Sequence, residues 1–134
     1  MIRRSALWAA LVIPAIAAAQ SCEPAPARSV QVSSERYSIS FRAVPARIAP
    51  GQHFAVEFSV CPQNGAPAPE SVRVDAWMPE HRHGMNYKAQ VVAVSARQYL
   101  AEGLMFHMPG RWEYLFEVRA AGRTDRIASP FVLE

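Results

Sequence analysis

The sequence predicts an all-β fold, an immunoglobulin-like antiparallel β-sandwich of about seven strands. Three observations lead there. From Ala27 onward the apolar residues recur mainly with period two, the signature of strands with one buried face. The 11 prolines and 6 glycines among 134 residues fall between those stretches and disfavour a helical bundle. The apolar share of 51% is ample for one core, and the length is too short for two ordinary domains.

The elements follow in chain order. Met1-Ile-Arg-Arg-Ser precedes an unbroken apolar run from Ala6 to Ala19, which reads as a secretory signal peptide over residues 1–19. Ala17-Ala18-Ala19 supplies the small residues before a cut at Gln20, and 14 apolar residues are short for a membrane-spanning helix. An uncleaved anchor is the alternative. So is a lipidated Cys22, although Ala19-Gln20-Ser21-Cys22 lacks the aliphatic residue usual three places before such a cysteine. Residues 20–134 are expected to form a single domain, periplasmic or otherwise exported.

Tyr37, Ile39 and Phe41 alternate with Ser38, Ser40 and Arg42, and Phe54, Val56, Phe58 and Val60 alternate with Ala55, Glu57 and Ser59. Both stretches predict strands. Val72 to Trp77 gives a third, Ala89 to Val94 a fourth and Gln98 to Phe106 a fifth. Trp112 to Arg119 and Arg126 to Leu133 complete seven. Turn chemistry separates them at 43–51, 62–69 and 120–123. A small Greek-key barrel is the other architecture such a pattern allows.

Charge and motifs narrow the function. Lys and Arg number 14 against 11 Asp and Glu, and removal of Arg3 and Arg4 with the signal peptide leaves a net charge of +1. A nearly neutral domain without a basic stripe lacks the electrostatics that nucleic acid requires. No nucleophile elbow, phosphate loop or carboxylate pair is present, so no enzymatic centre is expected. In an oxidising compartment the two cysteines allow one intramolecular disulfide, Cys22 to Cys61.

The chemistry-bearing stretches are Met78-Pro-Glu-His-Arg-His-Gly-Met-Asn-Tyr87 and Leu104-Met-Phe-His-Met-Pro-Gly110. They hold three of the four histidines and every methionine beyond Met1. Imidazole with thioether suits copper, because thioethers favour Cu(I) and imidazole also accepts Cu(II). In an antiparallel sandwich the odd-numbered connections lie at one end, which gathers His53, His81, His83 and His107 there and sends Cys61 to the opposite end. If the chain stays extended, His81, His83 and Met85 share one face, and Met105 and His107 share another. The candidate metal-holding residues are therefore His81, His83, Met85, His107, Met105 and Met108, with His53 as a bystander. The same histidines could instead rigidify a protein-docking loop by hydrogen bonding to backbone carbonyls, Glu80 or Asp75. The sequence leaves both uses open.

The MPEHRHGMNY run, followed by Gln98-Tyr99, Glu102-Gly103-Leu104, Phe106, Met108-Pro109-Gly110 and Trp112-Glu113, resembles the YtkA-like group of exported bacterial domains. More distantly it is similar to FixH-like proteins. The resemblance covers about Val72 to Val118, and it implies an immunoglobulin-like sandwich outside the cytoplasm. It also implies an association with copper handling, with a copper protein or respiratory-oxidase maturation as the partner. FixH-like proteins usually keep a membrane anchor, which this chain is expected to lose.

Overall fold

The computed structural model describes residues 22–134, so the expected signal peptide lies outside the described residues. Nine strands and no helix make up that part: β1 (Val30–Ser33), β2 (Tyr37–Val44), β3 (His53–Pro62), β4 (Ser71–Met78), β5 (His83–Gly84), β6 (Gln90–Ala93), β7 (Gln98–Met105), β8 (Gly110–Ala120) and β9 (Arg123–Leu133). They form two antiparallel sheets, one ordered β1-β2-β3-β7-β6 and the other β5-β4-β8-β9. Strands β2-β3-β7-β6 facing β4-β8-β9 reproduce the immunoglobulin order, with β1 added outside β2 and the two-residue β5 outside β4. These two additions bring the expected seven strands to nine.

Period-two patterning explains the core. Tyr37, Ile39 and Phe41 of β2, Phe54, Val56, Phe58 and Val60 of β3, and Trp112, Tyr114, Phe116 and Val118 of β8 are all buried between the sheets. Fully burying one such side chain stabilises the fold by roughly 1.5–3 kcal/mol. The outward face of the first sheet departs from expectation, because Ser38, Ser40 and Ser59 are buried too. The chain entering β1 covers that face. The Ser59 hydroxyl donates to the Pro24 carbonyl, the Gln31 amide donates to Ser38 Oγ at 3.2 Å, and Cys22 is fully buried in its disulfide with Cys61.

Register fixes the two ends of the sandwich. Strand β3 runs from His53, opposite Met105, to Cys61, opposite Ser38. At about 3.3 Å per residue those ends stand about 26 Å apart. A buried clamp closes the disulfide end. There the Arg36 guanidinium meets the Asp125 carboxylate at 3.1 Å and also donates to the Ala120 carbonyl, while the Tyr37 hydroxyl donates to the Pro67 carbonyl. A bulge marks β7, where Glu102 and Gly103 together oppose Ala55 and Gly103 adopts φ +84°.

Candidate functional site

Two connections build the opposite end. The first is the β4–β5 hairpin, in which Met78 opposes His83 and Trp77 opposes Gly84. Its four-residue loop turns because Arg82 takes a left-handed φ of +53° and the His81 N–H bonds the Met78 carbonyl at 3.2 Å. The extended run expected from His81 to Met85 is therefore broken by a turn, and His81 stands on the loop while His83 stands on β5. At Gly84 the strands come close, since a Cβ there would sit 3.1 Å from the Ala76 carbonyl oxygen. Beyond it, the Met85 N–H bonds that same carbonyl at 3.2 Å.

The second is the β7–β8 connection. Phe106 is fully buried and stacks on Trp112, with ring centres 4.5 Å apart and planes within 12°. The Trp112 indole N–H donates to the Met108 carbonyl at 3.0 Å, which ties the loop carrying His107 and Met108 to the core. Gly110 opens β8 at φ +132°, and a Cβ there would lie 2.8 Å from the Met78 methyl carbon. The MPG turn and the MPEHRHG turn thus touch through Gly110 and Met78.

These connections bring three imidazoles into a row. The His81 and His83 rings are centred 5.6 Å apart, and those of His83 and His107 5.1 Å apart. Trp112 stands behind them, 5.3 Å from His107 and 6.1 Å from His83, with its plane steeply inclined to both. His83 Nδ1 lies 3.2 Å from the Gly84 carbonyl oxygen, which only accepts, so that nitrogen carries the proton and Nε2 is left as the free acceptor. His107 Nδ1 is buried without a hydrogen-bond partner. Leaving a buried polar atom unpaired costs about 1–3 kcal/mol. Met85 and Met108 pack half-buried against the core beside these loops. At the rim, Glu80 and Arg111 form an exposed 3.9 Å pair.

The structure separates two residues from this row. His53 is exposed, stands directly opposite Met105 in the sheet and packs edge-on against Tyr87 with ring centres 4.8 Å apart. Leu104 and Phe106 point inward, so the Met105 between them belongs to the outer face of the first sheet, with His53. No three His, Cys, Asp or Glu side chains among the described residues stand close enough together to hold a metal ion. Pattern alone missed Trp112 as a participant and the burial of one His107 nitrogen. Trp112 reads in sequence as core, which it is, and its contact with both imidazoles follows only from the stacking on Phe106. The buried His107 Nδ1 has no sequence signal.

Cys22 is in a disulfide with Cys61, with Cα atoms 5.3 Å apart. Among the described residues no helix is long and apolar enough to cross a membrane. Residues 31–116 match the family model described as YtkA-like. A crystal structure of a DUF4426 family protein from Pseudomonas aeruginosa PAO1 is similar over 79% of this chain and 96% of its own, at 11% identity and a TM-score of 0.48. No curated protein matches the chain.

Proposed function

We propose that this chain, which belongs to the YtkA-like family, is an exported copper carrier or accessory protein that holds the ion at its histidine pole. The His83–His107 pair carries the proposal. Two imidazoles bound to one tetrahedral ion, each nitrogen about 2 Å from it, have ring centres about 5 Å apart. The observed separation is 5.1 Å. The Gly84 carbonyl on His83 Nδ1 is the backbone partner that orients metal-binding histidines and leaves Nε2 for the ion. The buried Nδ1 of His107 has no hydrogen-bond partner, so no protein group competes with an ion for that nitrogen.

Methionine completes the ligand set. With no three-residue imidazole, carboxylate or thiolate group in place, thioether sulfur from Met85 or Met108 is the remaining donor. Thioether with imidazole favours Cu(I). His81, exposed on its loop, would receive the ion at the rim. Copper is cargo here, to be passed to a copper protein such as one engaged in oxidase maturation. The disulfide supports an oxidising, exported setting.

Replacing His83 by alanine should weaken copper binding far more than replacing His53. Acidification from pH 7.5 to 5 should release the ion, because protons then compete for the imidazole lone pairs. Equal effects of the two replacements, or affinity unchanged at pH 5, would remove the imidazole pair from the proposal.

One observation favours a second reading, a metal-independent docking module for another envelope protein. The Gly84 contact already gives His83 a structural task. On that reading a His81→Ala/His83→Ala protein would lose thermal stability in metal-free buffer while its metal content stayed unchanged.

A further inference from the structure

On the side opposite the β4–β5 hairpin the sandwich is open, where the β1–β2 edge of one sheet faces β9 of the other. The opening is a cleft of about 410 Å³, within the size range of small-molecule sites, roughly 300–1,000 Å³. Phe41, Val44 and Phe131 supply apolar walls. Val30 and Val44 are left 51% and 38% exposed at its mouth, an arrangement that a bound apolar group would relieve.

Two hydroxyl-bearing residues line this apolar space. Tyr114 and Ser129 are directly opposed in the β8–β9 ladder, both are buried, and both line the cleft. Buried tyrosine hydroxyls ordinarily find a partner. Burial alone pushes the Tyr114 phenol up from its usual range, with no charge or hydrogen bond contributing. Two arginines also line the cleft, and Arg42 is taken up by Glu57 at 2.7 Å. Arg28 has no ion pair among the described residues, so it brings an uncompensated positive charge to the mouth.

From this arrangement we infer that the cleft binds a small amphipathic carboxylate. Its apolar part would lie against Phe41, Val44 and Phe131, its oxygens would accept from the Tyr114 and Ser129 hydroxyls, and Arg28 would balance its charge. A charge-assisted contact of that kind separates a carboxylate from an uncharged ligand of the same length. This site is independent of the copper proposal.

Isothermal titration of the whole domain with monomeric decanoate tests the inference, with decanol as the uncharged probe. Saturable binding at one site is expected, about ten-fold weaker for decanol and for the Arg28→Glu protein. Tyr114→Phe should also weaken it while preserving the fold, since the ring and its packing are retained. His83→Ala should leave it unchanged. Four results would overturn the inference: no saturable binding, decanol matching decanoate, parent-like affinity in both cleft variants, or loss of binding in His83→Ala.

Discussion

Replacing Gly110 by alanine would test the junction between the two loops of the histidine pole. Two costs add at that position. A Cβ would lie 2.8 Å from the Met78 methyl carbon, and because Met78 is fully buried its flexible end would have to shift within the core. Overpacking of this kind costs about 1–3 kcal/mol. The backbone is the second cost, because φ of +132° is a conformation that L side chains rarely adopt, worth about 1–3 kcal/mol again. The expected loss is therefore about 2–6 kcal/mol, or on the order of 10–25 °C in Tm for a domain of this size. Urea denaturation of Gly110→Ala beside the parent gives the number. A double-mutant cycle with Met78→Ala then separates the two costs, since only the steric part is relieved when the thioether is gone. A loss under about 0.5 kcal/mol, the ordinary range of surface substitutions, would refute both the contact and the strain.

Other expectations concern the rest of the frame. Serine at both Cys22 and Cys61 opens a crosslink spanning 39 residues, worth about 4 kcal/mol on chain-entropy grounds; a denaturation midpoint unchanged from the oxidised protein would contradict this. Asp125→Ala strands Arg36, which is 12% exposed, and should cost about 3 kcal/mol or more in chemical denaturation. In alkali the sign is set by Tyr114, whose folded pKa is raised. Above pH 10 the unfolded chain releases a proton that the folded chain keeps, so stability falls by about 1.4 kcal/mol per pH unit. Tyr114→Phe should flatten that decline, and an unchanged slope would place the phenol in solvent.

The strands were legible because one buried face imposes a strict period of two. Phe54, Val56, Phe58 and Val60 announce β3 without any tertiary knowledge, and all four lie in the core. Strand β1 was hidden because only Val30 and Val32 alternate over its four residues. Strand β5, at two residues, exists by pairing with β4 rather than by its own pattern. The burial of Ser38, Ser40 and Ser59 was not legible in the alternating pattern, since nothing local tells that the entering chain will lie over Ser59 and fasten itself at Cys61.

Counting strands was enough to gather the four histidines at one end, away from the disulfide, because antiparallel connections alternate between ends. Counting could not say which of them meet. The turn at Arg82 sets His81 apart from the strand that carries His83, and the inward pointing of Leu104 and Phe106 sends Met105 to His53. Those outcomes depend on loop geometry, which single residues with positive φ decide.

The most direct measurement is an anaerobic Cu(I) and aerobic Cu(II) titration of the mature domain against a competing chelator, beside the His81→Ala/His83→Ala/His107→Ala protein. Stoichiometric binding that competes with the chelator, favours Cu(I) and disappears in the triple variant is the expected result. Weak binding that the triple variant leaves unchanged would contradict a copper-holding pole and make the row of imidazoles part of the architecture.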